Sequence, residues 1–217
     1  MTTAETQARR TVTMADLLHE LGGIPADRVL MRPYPASEAD VLWQDAHAER
    51  LCELVDGVLV EKPMGLRESI LAMLIAFKLQ EFVLPRRLGA VSGEAGMMKL
   101  RPQLIRIPDV AYIRLGAGEG KIPNQAVPAV APTLAVEVVS GSNTPAEMKR
   151  KIEEYFSAGT ELVWVIDPER RTGEVYTSPQ NPRRIDISGA LPGEPVLPGF
   201  SVAMKDLFEE LDRQIEK

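Results

Sequence analysis

Two short apolar runs flank an amphipathic stretch near the middle of the chain. Residues 134–139, LAVEVV, are β-branched and apolar with one charge, Glu137, set among them. Residues 162–166, LVWVI, form the second run, stopped by Asp167-Pro168. Between them Met148, Ile152, Tyr155 and Phe156 recur at helical spacing. The start of that helix is a capping box, with Thr144 at the cap, Pro145 at the first helical position and Glu147 three residues after the cap. Gly159 can take the left-handed turn that ends it. Strand, helix and strand predict a βαβ unit whose strands are parallel neighbours.

The same pattern gives the rest of the chain. Residues 13–22 predict a short capped helix ending at glycine, and 25–39, with three prolines, an irregular arm. In ELVDGVLVEKP, residues 53–63, two apolar runs meet at Asp56-Gly57, a hairpin turn. Residues 66–84 predict a helix with an apolar face of Ile70, Met73, Leu74, Phe77, Leu79 and Val83, ended by Pro85. One or two strands are expected over 89–100, another over 105–115 and a glycine- and proline-rich loop over 116–131. A strand at 173–177, a turn-rich segment and a helix from about Met204 complete the order. Hairpin, helix, antiparallel strands and a parallel crossover predict an α+β fold with a mixed sheet. The division expected is residues 1–48 as N-terminal helix and arm, and 49–217 as one domain.

Composition narrows the function classes. A chain of 217 residues, 45% hydrophobic, carries enough apolar side chains for a substantial core. Its single cysteine, Cys52, excludes an internal disulfide and a cysteine-rich zinc site. No apolar run is long enough to span a membrane and MTTAETQARR lacks a signal-type core, so a cytoplasmic protein is expected. A formal net charge of −6 argues against broad electrostatic capture of nucleic acid, though not against a local groove. GAGEG at 116–120 has neither nucleotide-loop spacing nor a following helix and reads as an ordinary loop. Neither His19 nor His47 has a partner at metal-ligand spacing, and Ser140 and Ser142 lack a nucleophile elbow.

Three residues break the apolar pattern in a chemically coherent way. Glu137 is a carboxylate in a run that reads as buried, which is costly without a partner. Lys151 falls in the remaining slot of the packed stripe of the following helix, where Lys149 and Arg150 do not. Asp109 follows Pro108 at the head of another strand. Each alone has a plain reading, an ion pair for Glu137 with Lys151 and a turn for Asp109. Together they match a common use. Two carboxylates can hold Mg²⁺ through oxygen, the metal polarises a phosphodiester, and an ammonium steadies the charge that builds.

The ordered set ELVDGVLVEKP, IPDVAYI, LAVEVVSGSN with a lysine-bearing helix, AGTELVWVIDP and LPGFSV resembles the Uma family, restriction-endonuclease-like proteins of the PD-(D/E)XK nuclease superfamily. The resemblance implies a restriction-endonuclease-like core of order α-β-β-β-α-β, a Mg²⁺ or Mn²⁺ cofactor, hydrolysis of DNA and a homodimer. Carried over by residue, it sets the PD motif on Pro108-Asp109 and the next acid on Glu137. Val139 occupies the place of the superfamily lysine, whose role passes to Lys151 on the helix. Glu53 matches a recurrent family acid, which the resemblance makes a further metal ligand or an assisting group behind the ligands, and which reads equally well as an exposed cross-strand partner. Glu68 stands where relatives carry histidine. The alternative is a catalytically inactive nuclease fold kept for binding or interaction.

Overall fold

The structure, a computed structural model, describes residues 13–31, 33–48, 50–63, 65–115 and 120–215. Its main layer is a six-stranded sheet in the order β11-β10-β9-β8-β7-β4. The strands are β4 (Gly89–Ser92), β7 (Val110–Arg114), β8 (Leu134–Val138), β9 (Leu162–Asp167), β10 (Thr172–Tyr176) and β11 (Arg183–Ile185). β8 and β9 run parallel, Leu134 opposite Leu162, and the other neighbours are antiparallel. The crossover between them is α4 (Pro145–Ser157), whose capping box at Thr144 and Glu147 forms as expected. The βαβ unit is present in full.

Alternation along the strands divides the sheet into two unlike faces. Leu134, Val136 and Val138 join Val110, Tyr112, Trp164 and Ile166 in the largest apolar cluster. There they meet α3 (Leu66–Arg86) and α5 (Met204–Gln214). Each fully buried leucine or tryptophan of that layer contributes roughly 1.5–3 kcal/mol of transfer free energy. The other face carries Ala135, Val163 and Val165 under Met148, Ile152 and Tyr155 of α4.

A second, five-stranded sheet has the order β1-β3-β2-β6-β5 and is wholly antiparallel. It contains β1 (Val29–Leu30), β2 (Cys52–Val55), β3 (Val58–Glu61), β5 (Met98–Arg101) and β6 (Leu104–Arg106). Asp56 and Gly57 turn the β2–β3 hairpin at φ 49° and 82°, as the sequence pattern required. Two further helices, α1 (Met14–Glu20) and α2 (Glu38–Ala48), a single 3-10 turn at Ala26–Arg28 and a small hairpin of β12 (Ala190–Pro192) and β13 (Ser201–Ala203) complete the elements of the described residues. The sequence α3-β4-β7-β8-α4-β9 is the α-β-β-β-α-β core, with the β5–β6 hairpin inserted into it.

Four local expectations change. The strand over 105–115 is two strands in two sheets: Ile107-Pro108 breaks it, because proline has no N–H for a ladder. Residues 89–100 hold two strands, within the one or two expected, and these too lie in different sheets, β4 in one and β5 in the other. The arm over 25–39 is not wholly irregular, since β1 pairs with β3 and α2 starts at Glu38. Helix α3 runs past Pro85 to Arg86, and it packs through Leu71, Ala72, Ile75, Ala76, Leu79 and Val83. Met73 and Phe77, expected inside, are 61% and 55% exposed. Residues 116–119 of the GAGEG stretch lie outside the described residues.

Candidate functional site

The face of the main sheet beneath α4 meets the β2–β3 hairpin at the place where the chain passes from one sheet to the other. Odd-numbered positions of β8 face α4, so Glu137 points there while its neighbours enter the apolar core. Asp109 stands at the crossing, after Pro108 has ended β6 and before Val110 starts β7. Its N–H donates to the Val136 carbonyl at 3.0 Å. Glu53 lies on β2, and the register that pairs Leu54 with Ile105 carries Glu53 beside Arg106 of β6. Lys151 projects from the packed stripe of α4. These four expected residues, Glu53, Asp109, Glu137 and Lys151, lie in one buried cluster and are between 1% and 4% exposed.

Lys151 is the bridge. Its Nζ lies 3.3 Å from Glu53 Oε1 and 3.3 Å from Glu137 Oε2. The hydroxyl of Tyr155, one helical turn further on, donates to Glu137 Oε1 at 2.6 Å. Asp109 is held in the same manner: the Val138 N–H donates to Oδ2 at 2.6 Å, and Lys62 Nζ lies 2.7 Å from Oδ1. Each of these carboxylates is therefore pinned through one oxygen by a neutral donor and turns the other to an ammonium. Arg106 donates to Glu53 Oε2 at 2.6 Å and through Nε to Glu154 Oε2 at 2.7 Å. The Ile107 N–H, which has left its ladder, donates to Glu53 Oε1 at 3.1 Å. Glu53 is thus no exposed cross-strand partner.

Burial and pairing act in opposite directions on these groups. Burial raises the carboxyl of Glu53, but Lys151, Arg106, Lys62 and the Ile107 N–H outweigh it and hold that group down at about 2. Burial also raises Glu137, and there it prevails over Lys151, with the Asp109 carboxylate adding to the upward push. Lys151 is destabilised as a cation by burial, yet Glu137 and Glu53 more than compensate and raise it. It stays an ammonium at neutral pH. Tyr155 is pushed well up, first by burial and then by Glu137 and Glu53, and remains a donor.

Sequence reasoning missed Lys62, Arg106 and Glu154, and it treated Tyr155 as core alone. Arg106 sits between Ile105 and Ile107, a pattern that ordinarily sets the charge on a solvated face. Here that face lies under α4. Lys62 had a weak signal as the residue that ends an apolar hairpin strand. It also donates to the Ile107 carbonyl at 2.5 Å. It is the only member of this cluster on the wall of an open groove of about 700 Å³, shared with Asp45, Arg50, Glu61 and Glu94. Cys52 is a buried filler whose thiol burial pushes up to about 11.

The N-terminal segment fastens α4 in place. Arg28 donates to both carboxylate oxygens of Glu147, at 3.0 and 2.8 Å, and to the Ser142 carbonyl at 3.0 Å. Thr144 Oγ1 donates to the Gly22 carbonyl at 2.5 Å, and Arg150 to that of Glu20. Gly22 is required: its φ is +90°, and a Cβ there would stand 2.6 Å from the Glu147 nitrogen.

Comparison with known proteins agrees with this architecture. A crystal structure titled as a "putative nuclease belonging to DUF820", from Anabaena variabilis ATCC 29413, shares the fold with a TM-score of 0.66 at 22% identity. The match covers 75% of this chain and 92% of that one. The family Uma2, described as "Putative restriction endonuclease", matches residues 39–205, well over half of the sequence, so the chain belongs to that family. No curated protein matches it.

Proposed function

We propose that the protein is a metal-dependent endonuclease of the PD-(D/E)XK type that hydrolyses DNA phosphodiester bonds at the Asp109–Glu137–Lys151 cluster. The observation that carries this reading is Lys151, a buried ammonium on the crossover helix facing the carboxylate of the preceding strand, in a chain of the Uma2 family. The donor set is all oxygen, which suits Mg²⁺ or Mn²⁺. Asp109 and Glu137 would hold the ion through the two oxygens that now face ammonium groups. Among the described residues no three His, Cys, Asp or Glu side chains converge as an ion site. An ion here would therefore draw on these two carboxylates with other oxygen donors, and Lys62 would have to leave Asp109. When bound, such an ion polarises the phosphodiester and supplies hydroxide.

The chain's own groups define the rest. Lys151 is fixed as a cation and so is not the base; it positions the attacking water or steadies the charge that develops on phosphate. Glu53 and Tyr155 keep Lys151 and Glu137 in register from either side. A homodimer belongs to the same proposal, because a pair of chains brings two sites to two strands. A nicking assay on supercoiled plasmid tests the reading. Wild type should cut with Mg²⁺ or Mn²⁺ and stop with chelator; Asp109→Ala and Glu137→Gln should abolish cutting. Cleavage that persists in either variant sinks the assignment.

One observation favours a second reading, a binding module with a retired site. The acids are closed off by internal cations, and the adjoining groove carries three carboxylates, Asp45, Glu61 and Glu94. Calorimetric titration with Mn²⁺ separates the two, since a retired site takes up no ion at Asp109 and Glu137.

A further inference from the structure

The outer side of α3 is left unexplained by the site. Its exposed large apolar residues do not scatter: Leu66, Met73, Phe77 and Leu84 lie on one line, with Ile70 at its edge, whereas half-buried Ile70, Leu74 and Phe82 pack against the core. With Gln80 included, the intervals are four, three, four, three and four, the heptad spacing of a helix seam. The stripe runs the whole helix, about 27 Å at 1.5 Å per residue. Leu66, Met73, Phe77 and Leu84 are 77%, 61%, 55% and 59% exposed, although the opposite side of the same helix is fully buried. An exposed stripe of that length, apolar but for Gln80, on a surface helix marks a contact site.

We infer that a second copy of this chain covers the stripe, with the two α3 helices packed antiparallel about a two-fold axis that crosses the stripe midway between Met73 and Phe77. The argument is self-complementarity. In that arrangement Leu66 meets the partner's Leu84, Ile70 the partner's Gln80, and Met73 the partner's Phe77, each layer then repeated by symmetry. The flanking charges agree. Arg67, which donates through one terminal nitrogen to the Pro168 carbonyl at 2.8 Å, borders one end of the stripe and Glu81 the other, and the two-fold sets Arg67 beside the partner's Glu81. In one chain Glu81 has only an exposed contact with Lys78 at 3.6 Å, which leaves it available. A parallel pairing would stack Gln80 on Gln80 and give neither charge an opposite. The seam is short for a specific interface, so association in the micromolar range is expected.

This inference rests on the pairing of two chains and not on their chemistry, and its test reads mass and geometry. Sedimentation of the full chain over ~1–200 µM should show a monomer–dimer equilibrium, a range set by micromolar affinity. Phe77→Asp should yield monomer at every concentration with unchanged circular dichroism. Wild type that stays monomeric overturns both the seam and the dimer. A dimer that survives Phe77→Asp overturns the seam and leaves pairing to another face; in each case the assignment of cleavage to Asp109, Glu137 and Lys151 is untouched, since the nicking assay tests it separately. Direction is tested by oxidation, because Cys52 is buried and the only cysteine. Leu66→Cys with Leu84→Cys should cross-link into a covalent dimer, whereas either alone should not. Cross-linking of a single variant overturns the antiparallel geometry.

Discussion

The two faces of the main sheet are made by the same strands and held by opposite means. Under α3 and α5, β8 presents Leu134, Val136 and Val138 to the largest apolar cluster. Under α4 it presents Ala135 and Glu137, and four acids lie among four bases: Glu53, Asp109, Glu137 and Glu154 with Lys62, Arg106, Arg150 and Lys151. The first face gains free energy from each side chain it hides. The second must first repay the desolvation of its charges, so its net contribution to stability is small. What it retains is placement: each of these charges has a partner within ion-pair distance. Apolar burial and ionic pairing are thus segregated across one sheet.

That contrast can be broken or sharpened, beginning with the largest effect. Arg106→Met leaves Glu53 and Glu154 buried against too few cations and should cost about 3–5 kcal/mol in urea unfolding. A loss below about 1 kcal/mol would mean that solvent reaches this face. On the other face Leu79→Ala should cost about 2–5 kcal/mol by the same measurement and leave the site's chemistry intact. A variant that stays folded yet no longer takes up Mn²⁺ would show that the faces are coupled.

Acid should act through the ionic face. The carboxyl of Glu53 lies at about 2 when folded, against 4.5 when unfolded, so its stabilisation is complete above 4.5 and is lost as pH falls toward 2. At about 1.4 kcal/mol per pH unit, that amounts to about 3 kcal/mol. Glu137 has the opposite sign: raised in the fold, its contribution is complete below 4.5 and fades as pH climbs through the folded value. Unfolding free energy measured from pH 2 to 5 should be flatter for Glu53→Gln than for wild type. Equal slopes would contradict the buried pairing of Glu53.

The smallest effect concerns Lys62. If its ammonium occupies the side of Asp109 that an ion needs, Lys62→Met should tighten Mn²⁺ binding about tenfold in calorimetry, about 1.4 kcal/mol. Unchanged or weaker affinity would mean that the ion and Lys62 do not compete.

Much of this was legible from local signals. The capping box at Thr144 and Glu147, the Asp56-Gly57 turn and the two runs around α4 carry their own geometry within a few residues. Glu137 and Lys151 stood out because each broke an otherwise apolar pattern. Helix α3 was harder, since apolar residues line two of its sides and periodicity cannot say which one the sheet covers. Met73 and Phe77 were placed inside for that reason. Arg106 and Lys62 were hidden by the assumption that a charge between apolar strand residues faces water. Only the second sheet, folded back beneath α4, removes that water. No local pattern announces it.

The clasp between the N-terminal segment and α4 also sets the order in which this protein can be completed. Thr144 and Gly22 are 122 positions apart, and Arg28 and Glu147 are 119 apart. Loops of that length close slowly and late. During vectorial synthesis the segment around Gly22 and Arg28 leaves the ribosome first and must wait for its partner. Only when α4 has emerged can Lys151 be brought over Glu53 and Glu137. A chain released before that point carries both carboxylates but no bridge between them, so assembly of the site waits on α4.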